Sequence, residues 1–102
     1  MIIETPYKLN DAITLKLTGG DEVVARFVEE DQTTITIQKP LALVASPQGM
    51  ALAPFAFTID LDVKLKINKS TVVFVYKTQA DMASQYMTST SGLQAAPANF
   101  KI

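Results

Sequence analysis

From Phe55 to Ile67 the chain alternates without a break. Phe55, Phe57, Ile59, Leu61, Val63, Leu65 and Ile67 are separated by Ala56, Thr58, Asp60, Asp62, Lys64 and Lys66. Successive side chains of a β-strand point to opposite faces, so this spacing predicts a strand with all seven apolar residues on one face. Thirteen residues are long for a strand, which predicts a bend or a split. "NKST", Asn68 to Thr71, reads as a turn, and "VVFVYK", residues 72 to 77, as a last strand apolar on both faces.

The same period of two runs through the first half of the chain. Ile13, Leu15 and Leu17 alternate with Thr14 and Lys16, a half-buried strand followed by the turn "TGGD". In "EVVARFVEED" Val23, Ala25 and Phe27 share a face, and Val24 and Val28 add apolar surface to the other. "TTITIQ" is β-branched and predicts a third strand. Pro40 cannot donate to a ladder, which predicts an edge position or a bulge there. "LALVA" resumes an apolar strand and "SPQG" reads as a turn. The character changes at residue 79. Met82 and Tyr86 are four apart, as are Ala83 and Met87, which predicts one helix over about 79–91 with Thr78 as its cap. Residues 92–102 hold small residues and a proline and are expected to be a loose tail. About five short, strongly bent strands joined by tight turns predict an all-β fold, a small barrel over about 12–77, within a single domain spanning 1–102. Periodicity alone does not separate an SH3-like barrel from an OB-like one.

Composition removes several function classes. The 102 residues include no cysteine and no histidine. Thiolate and imidazole metal sites, disulfides, and Ser-His-Asp or Cys-His nucleophilic sites therefore cannot be built. The pair Asp60 and Asp62 shares a strand face in this reading, but two carboxylates alone make a poor cation site. Neither a metal, a cofactor nor an enzymatic activity is expected. No apolar run is long enough for a membrane-spanning helix, and "MIIETPYKLN" lacks the pattern of a secretory signal, so a cytoplasmic setting is expected. The formal net charge is −1, unevenly spread: residues 1–31 hold seven acids against three bases, and residues 32–102 six bases against three acids. A protein gripping long nucleic acid through its phosphates is usually basic, so any such site here is local.

"LTGGDEVVARFVEEDQTTITIQ" resembles the first signature of Sm-like proteins: an apolar strand, a turn ending in glycine, an apolar run, and an aspartate opening the next turn. Gly20 matches the glycine and Asp31 the aspartate. "DQTTI" is similar to the bacterial, Hfq-type branch, and "INKSTVVFV" sits where the second signature lies. The pattern is also similar to Sm-like proteins of phages that infect marine cyanobacteria, which would place it in the cytoplasm of a bacterial host. The resemblance covers roughly residues 12–76. It implies a five-stranded, strongly bent SH3-like barrel whose copies join edge to edge into a homo-oligomeric ring, the fourth strand of one pairing with the fifth of the next. Closure of that kind would cover open apolar edges. It further implies single-stranded RNA as a partner, bound around a pore by Gln32 at a base edge, Thr33 at the stacking position, and Asn68 and Lys69 in the second turn. Gly20 and Asp31 would hold turn structure, with the Asp31 carboxylate capping backbone N–H groups. The chain departs from the family at several points, among them the missing Arg-Gly or Lys-His pair and a short, proline-containing "ETPYKLND" where the family has an N-terminal helix. Thr33 has no ring to stack on, Ile35 stands where the archaeal and eukaryotic branch keeps an asparagine, and Asn68 replaces a cation.

Each position also has a plainer reading. Asn68, Lys69, Gln32 and Thr33 are ordinary turn residues. Lys64 and Lys66 suit a strand edge or cross-strand partners of acids better than a binding stripe. Met82, Tyr86 and Met87 suit a helix capping its own barrel. Two functions remain: an RNA-binding or RNA-chaperone-type ring, or an oligomeric scaffold of the same architecture that has lost RNA binding.

Overall fold

The computed structural model describes residues 7–56 and 58–91. In chain order these form β1 (Ala12–Leu17), β2 (Glu22–Glu30), β3 (Thr34–Ser46), β4 (Gly49–Pro54), β5 (Leu65–Asn68), a 3-10 turn (Lys69–Thr71), β6 (Val72–Lys77) and α1 (Ala80–Ser91). All pairings are antiparallel. The sheet runs β4-β3-β2-β1-β6, and β5 pairs with β3 off that path. The fold is thus mostly β with one C-terminal helix. It differs from the expected barrel in having, among the described residues, six strands rather than five and pairings that do not close into a barrel.

The sixth strand has a specific origin. β4 pairs with the second half of β3, Leu41↔Pro54 through Ser46↔Gly49, and β5 pairs with the first half, Thr34↔Asn68 through Ile37↔Leu65. The two lie end to end along one partner and are separated by residues 55–64. The unbroken strand expected over 55–67 is therefore corrected to β5 alone. Asp60 and Asp62 do not sit on a strand face, and of Lys64 and Lys66 only Lys66 lies in a strand. The alternation misleads because the excursion feeds two different cores. Phe55 packs into one core and Leu61 into the other, while Ile59 and Val63 stay exposed. Phe57 and the tail 92–102 lie outside the described residues.

The break faces an irregularity in β3. Lys39 takes φ +52°, and the β2 register jumps from Val24↔Leu41 to Arg26↔Gln38, so Lys39 and Pro40 together oppose Ala25. This is a β-bulge, one of the few places proline is tolerated in a sheet. Freed from the ladder, the Lys39 N–H donates to the Leu61 carbonyl at 3.0 Å, and the Phe55 N–H to the Pro40 carbonyl at 3.2 Å. The Gln38 amide donates to the Asp62 carbonyl, and the Lys39 ammonium pairs with the Asp62 carboxylate.

Both sheet faces are covered. On one, Ile13, Leu15, Val23, Ala25, Ile35 and Ile37 are buried, with Tyr7 packed edge-on against Phe27. Each large side chain there contributes roughly 1.5–3 kcal/mol by leaving water. On the other, α1 lies over Ala12, Val24 and Leu41, with Leu52 and Leu61 at its margin. Its anchor is Tyr86, wholly buried, whose hydroxyl donates to the Lys39 carbonyl at 2.6 Å. Burial holds the Tyr86 hydroxyl far above its ordinary pKa, so it remains a donor. The helix lies where the spacing of Met82 and Tyr86 predicts it. Its cap is corrected, however. The Gln79 side chain accepts from the Met82 N–H at 3.3 Å, and the Thr78 hydroxyl instead meets that of Thr14 at 2.9 Å. No helix among the described residues is long and apolar enough to cross a membrane.

Candidate functional site

Asp31 ends β2 in a tight turn. Its Oδ1 accepts from the N–H groups of Thr33 at 2.9 Å and Thr34 at 2.8 Å, and from the Thr34 hydroxyl at 3.1 Å. The Asp31 N–H in turn donates to the Thr34 carbonyl at 2.9 Å. Two backbone donors aimed at one carboxylate oxygen favour its charged form and hold its pKa down at about 2. Gln32 and Thr33 stand exposed at the tip of this turn.

The 3-10 turn ties three loops together. The Lys69 N–H donates to the Thr33 carbonyl at 2.8 Å, joining the β2–β3 turn to the segment after β5. The Thr18 N–H donates to the Thr71 carbonyl at 2.9 Å, joining the β1–β2 turn to the same segment. In that β1–β2 turn Gly20 takes φ +105° while its N–H donates to the Leu17 carbonyl. A side chain there would be strained. Asn68, the last residue of β5, pairs with Thr34 and projects into solvent. Gln32, Thr33, Asn68 and Lys69 are thus brought to one end of the sheet although 35 residues separate the two pairs.

The local charge is the part that sequence reading missed. Glu30 faces Lys69, with Oε1 and Nζ 3.5 Å apart, and the same Oε1 accepts from the Tyr7 hydroxyl at 3.2 Å. Burial first, then the Glu30 charge, pushes the Tyr7 hydroxyl up to about 12. Lys69 is therefore a cation partly neutralised by Glu30, the middle one of three acids consecutive in sequence, Glu29, Glu30 and Asp31. No local pattern links Glu30 with Lys69. The pairing is visible only once β3 and β5 lie side by side. Of Asp60 and Asp62, Asp62 is likewise committed, because it is held by Lys39. Among the described residues no three potential metal-ligating side chains come together. No protein-family model matches the chain, and no curated protein matches it.

Proposed function

We propose that this chain is an Sm-like subunit of a homo-oligomeric ring, and that it is a binding module rather than an enzyme. It engages single-stranded RNA through the joined turns at Gln32–Thr33 and Asn68–Lys69. The observation that carries this reading is the 2.8 Å bond from the Lys69 N–H to the Thr33 carbonyl, which fuses the two turns into one surface. Two further features support it. β4 and β5 share β3 end to end, as one strand of an Sm-like sheet would if interrupted. Both ends of the sheet, β4 and β6, have an outer edge with no partner strand among the described residues.

The chemistry on offer is modest. Gln32 and Asn68 can each donate and accept at a base edge, and Lys69 can approach a phosphate if it leaves Glu30. With threonine at the stacking position, about 1–3 kcal/mol per base is missing. A specific observation favours a second reading, a ring that serves as a scaffold without RNA: the cation that should meet phosphate already meets Glu30. Titration of oligouridine against the protein at low and high salt separates the two. Micromolar affinity that falls with salt and drops at least fivefold in Lys69→Ala supports RNA binding. Affinity no better than millimolar, indifferent to Lys69→Ala, leaves the scaffold.

A further inference from the structure

The contact between Lys69 and Glu30 is assembled from three distant segments. Glu30 opposes Ile35, and Ile35 opposes Ile67, so these three residues share one sheet face. That face carries the core in which Tyr7, Phe27 and Ile35 are buried. Lys69, two residues after Ile67, brings its ammonium to 3.5 Å from Glu30 Oε1 at the end of this core. The Tyr7 ring stands edge-on to Phe27, with centroids 4.8 Å apart, and its hydroxyl donates to the same Oε1 at 3.2 Å. One carboxylate oxygen is thus held by a cation and by a neutral donor, and the neutral donor is anchored in the core.

This arrangement adds little to stability, because partly exposed ion pairs rarely do. Its effect falls on what Lys69 can meet. The Lys69 side chain is 36% exposed and that of Glu30 27%, so a ligand can reach both. A phosphate that takes Lys69 must displace the Glu30 carboxylate and leave that charge uncompensated beside it. Asp31, next in the chain, adds a second negative charge, kept ionised by the N–H groups of Thr33 and Thr34. A ligand that offers only backbone charge therefore gains little here. A ligand that also hydrogen-bonds Gln32 and Asn68 through base edges gains enough to offset the displacement. Selectivity of this kind comes from penalising the wrong ligand as much as from holding the right one.

We propose that Glu30 is the specificity-determining residue of the joined turns, withholding Lys69 from bare phosphate so that base edges decide binding, and that Tyr7 is the positioning residue that keeps Glu30 there. The inference rests on the RNA-binding reading and deepens it. The favoured ligand is a single strand with accessible bases, and polyanions without bases are rejected.

Three substitutions test it. Glu30→Gln keeps the size of the side chain and removes its charge. Glu29→Gln removes the same charge one residue away, on the opposite side of the strand. Tyr7→Phe keeps the ring and removes only the hydroxyl. Circular dichroism verifies that each variant is folded, and oligouridine and inorganic polyphosphate of equal charge are titrated over a range of salt. Glu30→Gln is expected to raise polyphosphate affinity by about fivefold and oligouridine affinity by less. Its salt dependence should steepen by about 0.7 in log–log slope for each phosphate gained. Tyr7→Phe is expected to act in the same direction, more weakly, and to add nothing on top of Glu30→Gln, a non-additivity that a merely structural role would not produce. If oligouridine binds the wild-type chain, and Glu30→Gln raises both affinities equally or does no more than Glu29→Gln, the contact sets no specificity. The inference is then overturned while RNA binding stands. Binding that appears only in Glu30→Gln supports the inference and leaves the wild-type chain as the scaffold. If neither the wild-type chain nor Glu30→Gln binds either ligand more tightly than millimolar, the RNA reading and the inference fall together.

Discussion

Asp31 shows how one exposed side chain can set a turn. Its carboxylate has two backbone N–H donors within 2.9 Å, and these lower its pKa to about 2. A group whose pKa is depressed on folding stabilises the folded state above its unfolded value, near pH 4. That contribution is lost as pH falls through the folded value. Asp31→Ala is therefore expected to lower the melting temperature at pH 7. The gap to wild type should narrow between pH 4 and pH 2, read by thermal melts across that range. A gap that stays constant to pH 2 would mean the carboxylate charge does not hold the turn. Because Lys69 docks on the Thr33 carbonyl of this turn, the same substitution is expected to disturb the joined surface without touching Lys69 itself.

The element that organises the sheet is β3, and its hinge is Lys39. A non-glycine residue in the left-handed region costs roughly 1–2 kcal/mol, and here it also precedes a proline, which disfavours helical backbone. What holds it is tertiary: Tyr86 from α1 on its carbonyl and Leu61 from the excursion on its N–H. Glycine and alanine at position 39 both lose the pair with the exposed carboxylate of Asp62 to the same extent. They differ in backbone freedom. Lys39→Gly is thus expected to exceed Lys39→Ala in stability by about 1 kcal/mol in urea titrations, and equal stabilities would show the bulge is unstrained. This hinge also marks where sequence reading stops. β1, β2, the start of β3 and α1 follow from periods of two and four, because their alternate apolar residues enter the same core, and β6 follows from its continuous apolar run. Pro40 signals the bulge through its missing donor. Residues 55–64 do not follow, because period two records that alternate residues are apolar and not that they enter the same core. The turns at Gln32–Thr33 and Asn68–Lys69 could be paired only through the Sm-like resemblance, and Glu30 opposite Lys69 had no signal at all, since strand adjacency alone creates it.

At the scale of the whole molecule, the two cores share one sheet, so losing either exposes residues of the same strands. Ile13 and Ala12 are neighbours that point into different cores, as are Val23 and Val24. A sheet built this way is stiff in its middle, β1 to β3, and unfinished at its ends, where Met50, Val73 and Tyr76 are all at least 60% exposed. For a chain of 102 residues that unfinished surface is a large part of what folding could still bury. The proposed ring would supply it, and mass action then makes stability depend on concentration. Raising free partner from well below to a hundredfold above the dissociation constant contributes about 2.7 kcal/mol. At roughly 4 °C or more per kcal/mol for a domain of this size, the melting temperature is expected to rise by about 10 °C. Scanning calorimetry from 1 to 300 µM provides the check. A melting temperature flat across the whole range would mean that each copy is stable without its neighbours, and the edges of β4 and β6, unpartnered among the described residues, would then need another explanation.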